Sequence, residues 1–195
     1  MLQKAYSSTD IKGDGQVVVV PFASYAVEVA PAFLLESGQY WICDTNNGGR
    51  YKVADPKAEI KSVKDSNEST KGNTRDLIRM AKRWQEHCNV PLKSFLIELL
   101  AIEFLATWPY RGNTAVYYDW MIRDFFAFLK SKYSWSTVTV PGTYESITLG
   151  DADWKSRAQT AYDRAVKATQ HEKDNEPYSA GSEWQKIFGT DMPSG

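Results

Sequence analysis

Between Gln16 and Val53 the apolar residues come in short β-branched or aromatic runs, and beyond Asp55 they recur at helical spacing. The run Gln16-Val17-Val18-Val19-Val20-Pro21-Phe22 is too short for a helix and is stopped by proline, so it predicts a strand. Ala23-Ser24-Tyr25 leads into Ala26-Val27-Glu28-Val29-Ala30, which predicts an antiparallel hairpin. Gln39-Tyr40-Trp41-Ile42-Cys43 and Arg50-Tyr51-Lys52-Val53 flank Thr45-Asn46-Asn47-Gly48-Gly49. Asn and Gly supply the positive φ that a tight turn needs, so a second hairpin is expected there.

Asp55-Pro56-Lys57-Ala58-Glu59 reads as a helix start, with Asp55 as N-cap and Pro56 at the first helical position. Ser66 to Asn73 is polar and contains glycine, which predicts a loop or frayed end. Leu77, Ile78, Met80, Ala81 and Trp84 make the apolar stripe of the next helix, which Asn89-Val90-Pro91 breaks. From Leu92 to Trp108 the chain is apolar nearly all round, the pattern of a central buried helix. Thr114 to Tyr133 predicts an aromatic-rich helix, and Val138 to Gly142 a loop or short extended piece. From Asp151 to about Lys173 a long helix carries Trp154, Ala158, Ala161, Ala165 and Ala168 on one side. A short last helix is expected over Ser182–Phe188, ending at Gly189. The two textures divide the chain at residues 1–56 and 57–195.

The 195 residues are 43% hydrophobic and 24% charged, an ordinary balance for a folded chain. A net charge of -1 argues against a net-basic nucleic-acid binder, so no DNA partner is expected, and leaves room for a local basic pocket. There is no apolar run long enough to cross a membrane, and Met1-Leu2-Gln3-Lys4 opens no secretory signal. Cys43 and Cys88 suit a reducing cytoplasm better than a disulfide scaffold or zinc site.

Three residues are candidates for chemistry. In a strand, alternate side chains face opposite ways, so Glu28 shares a face with Ala26 and Ala30. A carboxylate between two small residues suits a ligand for a hard cation, although a solvated residue on a one-sided sheet is the more frequent explanation of such a position. Lys82 lies at the edge of its helix's apolar stripe, beside Ile78, and Ser94 opens the buried helix that follows. The turn at 89–91 reverses the chain, so a lysine of one helix and a serine at the N-terminus of the next could grip a phosphate chain. A snorkelling lysine and a serine serving its own helix are the alternative.

Other features have simpler explanations. Asp151-Ala152-Asp153 precedes a helix and reads as a cap, and Gly181-Ser182 as a helix start. His87 and His171 lack acidic or cysteine company at ligand spacing. Trp108-Pro109-Tyr110 and Tyr117-Tyr118-Asp119-Trp120 could stack bases, although core packing or a partner surface explains such clusters more often.

Several segments carry a resemblance. Ala26-Val27-Glu28-Val29-Ala30-Pro31-Ala32-Phe33 is similar to the strand bearing the third acidic residue in bacterial cGAS/DncV-like nucleotidyltransferases (CD-NTases), the cyclic-oligonucleotide synthases of CBASS anti-phage systems. The similarity continues with Gly49-Arg50-Tyr51-Lys52, Asp55-Pro56 and Leu77-Ile78-Arg79-Met80-Ala81-Lys82-Arg83-Trp84. It runs on through Pro91-Leu92-Lys93-Ser94-Phe95 and Glu98-Leu99-Leu100, and closes with Trp184-Gln185-Lys186-Ile187-Phe188-Gly189 near Pro193.

The resemblance implies an α+β fold, in which part of a polymerase-β-like nucleotidyltransferase sheet is followed by a mainly helical domain. It implies Mg²⁺, or Mn²⁺ in its place, held on three carboxylates, and nucleoside triphosphates such as ATP as substrates. By position, Glu28 matches the third carboxylate, and Lys82 and Ser94 match the residues that hold the donor triphosphate. The family's Gly-Ser loop and Asp-x-Asp strand have no counterpart before Glu28. Tyr6-Ser7-Ser8-Thr9-Asp10-Ile11 looks instead like the stretch that follows that strand. Glu also stands at position 28 where Asp is common. The polypeptide alone is therefore expected to be inactive and to need a complementary N-terminal chain. The alternative is a non-catalytic helical module that binds a nucleotide or a protein, or a homo-oligomer that buries the surface left open.

Overall fold

The computed structural model describes residues 2–45, 48–113, 117–133, 136–150 and 153–194. The elements fall into two compact units: Met1–Ala58 with Pro141–Glu145, and Glu59–Val140 with Ser146–Gly195.

The first unit is built on two three-stranded antiparallel sheets. A single helical turn, α1 (Leu2–Ala5), precedes β1 (Lys12–Asp14), β2 (Val17–Pro21) and β3 (Ala26–Val29), whose order in the sheet is β1-β2-β3. The β2–β3 pair is the expected hairpin, in a register that sets Val19 opposite Glu28. The second sheet holds β4 (Ala32–Leu34), β5 (Tyr40–Asp44) and β6 (Arg50–Ala54) in order. The β5–β6 pair is the second expected hairpin, and Gly48 and Gly49 both take positive φ in its turn, at 87° and 85°. Asn46 and Asn47 lie outside the described residues. The sequence pattern missed α1, β1 and β4: a three- or four-residue element is too short to show a period. Segment 141–145 docks here through Gln39 Nε2, which donates to the Gly142 carbonyl at 2.6 Å, and through Arg50, 3.2 Å from Glu145.

Few apolar side chains are buried in this unit. Val20 is 2% exposed, while Phe33 (64%), Leu34 (68%) and Tyr51 (59%) face solvent. Trp41 stacks on Tyr51 at 5.9 Å and Phe33 meets Tyr51 edge-on at 6.5 Å, so one sheet presents a cluster of aromatic rings.

The second unit holds the main core. α2 (Pro56–Ser69) starts where expected: Asp55 Oδ1 accepts the Ala58 N–H at 3.0 Å and Pro56 opens the helix. It continues through Ser69, four residues into the stretch expected as loop, and the break is confined to Thr70–Gly72. α3 (Asn73–His87) buries Leu77, Ile78, Ala81 and Trp84, as the stripe predicts. It ends at Asn89, whose φ of +48° follows the αL pattern of helix C-termini, with the Val90 N–H returning to the Gln85 carbonyl at 2.9 Å. α4 (Ser94–Thr107) is the central helix, burying Leu96, Ile97, Leu99, Leu100, Ala101, Phe104 and Leu105. Full burial of each leucine, isoleucine or phenylalanine among them contributes roughly 1.5–3 kcal/mol.

α5 (Tyr118–Ser131) is shorter than expected, with Thr114–Val116 outside the described residues. The piece expected as a loop or extended segment is β7 (Thr137–Thr139), paired with an unanticipated β8 (Ser146–Thr148). α6 (Asp153–Lys173) buries all four alanines of its stripe together with Trp154. Asp151 and Ala152 lie outside the described residues. α7 (Pro177–Phe188) starts five residues earlier than expected, with Pro177 in its first turn. Gly181 and Ser182 are therefore interior and do not start the helix. Gly181 is there for space: a Cβ would come within 2.5 Å of the Ser194 backbone.

Candidate functional site

Glu28 sits in the first unit on β3, with Ala26 and Ala30 on the same face, and all three are exposed. The alternation is shallow, since Val27 on the other face is also 39% exposed. β3 is an edge strand of its sheet among the described residues. The described residues hold no group of three or more His, Cys, Asp or Glu that could hold a metal ion.

Lys82 and Ser94 belong to the second unit, and α3 and α4 bring them onto one edge. Lys82 Nζ is ion-paired and hydrogen-bonded to Glu98, four residues beyond Ser94 on α4. Ser94 Oγ donates to Gln85 Oε1 at 3.0 Å, and Gln85 is three residues beyond Lys82 on α3. Residues three and four apart on a helix are surface neighbours, so the two cross-links are adjacent rungs between α3 and α4. Gln85 Nε2 also donates to the Leu92 carbonyl, which ties the connection to α3. Neither Glu98 nor Gln85 was singled out as a site residue from the sequence. The signal was present, because each pair is nearly equidistant from the turn at 89–91, as facing residues of an antiparallel helix pair must be.

Ser94 is the first residue of α4, after Lys93 in extended backbone, and no side chain caps the helix. The amide groups of that first turn carry the positive end of the helix dipole. The same edge carries further cations that the sequence reading left out. Arg75 and Arg79 precede Lys82 on α3 at helical spacing, and Arg79 is paired with Asp76 at 2.9 Å. Glu98 and Arg75 also line a cleft of about 270 Å³ with Glu59, Val63, Phe95 and Leu99. Asp76 in turn accepts the Tyr118 hydroxyl at 2.5 Å. That bond, with burial and the nearby carboxylate, pushes the phenol up to about 12.

The aromatic candidates mainly pack on one another. Trp108 is buried and donates through Nε1 to Asp124 at 3.0 Å. Tyr110 stacks on Tyr117 at 5.6 Å, and Trp120 meets both edge-on.

Comparison with known proteins gives this geometry a context. The model of the Second Messenger Oligonucleotide or Dinucleotide Synthetase domain matches residues 1–67. The chain is 21% identical to a probable cyclic nucleotide synthase of Bacillus cereus (strain VD146), over 97% of this chain and 59% of that protein. It is 26% identical to the CBASS oligonucleotide cyclase CdnC of Escherichia coli (strain KTE188), over 68% of this chain and 41% of that protein. The chain thus spans between two-fifths and three-fifths of the length of these curated relatives. Among solved structures, it superposes on E. coli MS115-1 CdnC from a CdnC:HORMA-deltaN complex with a TM-score of 0.69 at 20% identity. That match covers 98% of this chain and 69% of the other. On Vibrio cholerae DncV cyclic AMP-GMP synthase with a linear intermediate, the TM-score is 0.79 at 13% identity, covering 98% and 57%. At these identities the structural matches establish the fold: part of a nucleotidyltransferase sheet followed by a mainly helical region.

Proposed function

We propose, from the premise that this chain is a CD-NTase-like protein, that it forms part of an enzyme joining nucleoside triphosphates into a cyclic oligonucleotide messenger of CBASS anti-phage defence. Residues 1–56 contribute to the catalytic core and residues 57–195 form the helical domain. The observation that carries the reading is the pair of rungs that set Lys82 and Ser94 on one edge at the N-terminus of α4.

In this reading Lys82 supplies positive charge to the donor triphosphate, Ser94 turns its hydroxyl from Gln85 to a phosphate oxygen, and the free amides of α4 add donors. Glu98 competes with phosphate for Lys82 and must release it. Glu28 is the catalytic carboxylate for Mg²⁺ or Mn²⁺, standing clear of neighbours on its strand. One carboxylate does not make a two-metal site, and the described residues hold no group of three or more His, Cys, Asp or Glu that could hold a metal ion, so by themselves they do not fit the pair of ions. The 195-residue polypeptide is accordingly expected to be inactive alone and to work in the cytoplasm with a complementary polypeptide. The exposed rings of Phe33, Trp41 and Tyr51 support such a partner surface.

The test supplies a Gly-Ser/Asp-x-Asp polypeptide to this chain with radiolabelled nucleoside triphosphates and Mg²⁺. A phosphatase-resistant product is expected from the pair and from neither part alone, with Glu28→Ala and Lys82→Ala abolishing it. Product formation unchanged by both substitutions would overturn the site. A second reading, a non-catalytic nucleotide- or protein-binding module, is favoured by the same exposed aromatic face. Calorimetry that detects ATP or GTP binding in a pair that never forms product would select it.

A further inference from the structure

On the side of α3 turned away from Lys82, a separate basic cleft opens between α3, α6 and α7. Trp84 lies two residues from Lys82, about 200° around the helix, so the cleft is not part of the edge described above. It encloses about 200 Å³.

Arg157, Arg164 and Lys186 line it, and Trp84 and Ile187 form apolar wall. One carboxylate serves two of the cations: Glu183 lies 2.9 Å from Arg164 and 2.7 Å from Lys186. Burial works against the Glu183 anion, but its bonds to Lys186 and Arg164 outweigh this and hold the carboxyl below its ordinary value. The Arg157 guanidinium donates to a main-chain oxygen, the Cys88 carbonyl, at 3.0 Å, and has no carboxylate partner among the described residues. The cleft therefore carries more positive charge than its neighbours neutralise. Trp84 is 0% exposed, and its indole N–H is buried with no acceptor among the described residues. A buried donor left unmet costs roughly 1–3 kcal/mol. The cavity is smaller than the roughly 300–1,000 Å³ of typical ligand pockets, which selects a small guest.

We propose that this cleft binds a phosphate group, as inorganic phosphate or a small phosphate monoester, between Arg157, Arg164 and Lys186. Guanidinium groups match the paired oxygens of phosphate and the ammonium adds a point charge. The apolar wall of Trp84 and Ile187 accommodates the carbon side of a monoester.

The test is calorimetry on the 195-residue chain with inorganic phosphate and, separately, phenyl phosphate, at ionic strength matched with chloride. In parallel, the Trp84 indole N–H resonance is followed by NMR and assigned by its loss in Trp84→Phe. Saturable binding of either phosphate is expected, with the Trp84 resonance moving along the same isotherm. Arg157→Gln should weaken it at least tenfold, and its unfolding midpoint certifies the fold. The proposal is overturned if neither phosphate binds above the chloride control, if Arg157→Gln binds unchanged, or if binding leaves the Trp84 resonance still.

Discussion

The Ser94 hydroxyl donates to the Gln85 side-chain carbonyl at 3.0 Å, while the other end of the same amide donates to the Leu92 carbonyl. A single glutamine on α3 thus fixes both the connection to α4 and the first side chain of α4. Gln85→Leu removes both bonds, each worth about 1 kcal/mol net. Urea unfolding of this variant is expected to show a loss of about 1–2 kcal/mol. Triphosphate affinity should fall with it, because the connection that sets the N-terminus of α4 against α3 is no longer tied through the Leu92 carbonyl.

Lys82 and Glu98 make predictions of opposite sign. Their ion pair is partly exposed, so breaking it changes stability by less than about 1 kcal/mol. Under the proposed function, Lys82→Ala weakens ATP binding by roughly tenfold or more, as expected for loss of a charge-assisted contact. Glu98→Gln removes the competitor and should strengthen binding severalfold. Calorimetry with ATP on the complemented protein checks both, and two changes of the same sign would refute the competition.

Tyr118 provides a pH signature. Its hydroxyl bond to Asp76 favours the neutral phenol, raising it from 10.0 to about 12. The folded state therefore holds this proton when the unfolded state has lost it. The resulting stability is fully present below pH 10 and disappears as pH rises toward about 12. Tyr118→Phe should flatten this part of the stability profile, measured by thermal unfolding between pH 8 and pH 11, values chosen to bracket the lower edge of that window.

The alanine stripe of α6 predicts an asymmetric response to size. Ala165 is 0% exposed, so Ala165→Leu forces extra methylenes into packed core and should cost roughly 1–3 kcal/mol. Val166, on the next position, is 40% exposed, and Val166→Ala should stay within about 0.5 kcal/mol of the parent. Chemical denaturation of the two variants makes the comparison.

Gly181 opposes two effects. Alanine is the better helix former by about 1 kcal/mol, but its methyl would meet the Ser194 backbone. Gly181→Ala should therefore leave α7 formed and displace the final residues, which Gln185 holds through the Met192 carbonyl at 2.7 Å and Arg83 through Asp191 at 2.7 Å. Limited carboxypeptidase digestion should trim this variant faster, at unchanged helical circular dichroism.

The strand of Glu28, the stripe of α3, the break at Asn89, the central helix α4 and the alanine face of α6 were all legible in the amino-acid order. Each is dictated by nearby residues: alternation, helical periodicity, a capping aspartate, a proline. β8 and the first half of α7 escaped that reading. Ser146–Thr148 forms a strand because β7 pairs with it, and Gly181 sits mid-helix because another part of the chain crosses there. The partners of the candidate groups were decided in the same way. A lysine and a serine at helix positions could be named from order alone, but that Lys82 is held by Glu98, that Gln85 holds Ser94, and that Arg157 and Lys186 converge on Trp84 from distant segments are matters of tertiary packing. Local order sets which surfaces a segment offers, and only the folded chain decides which surfaces meet.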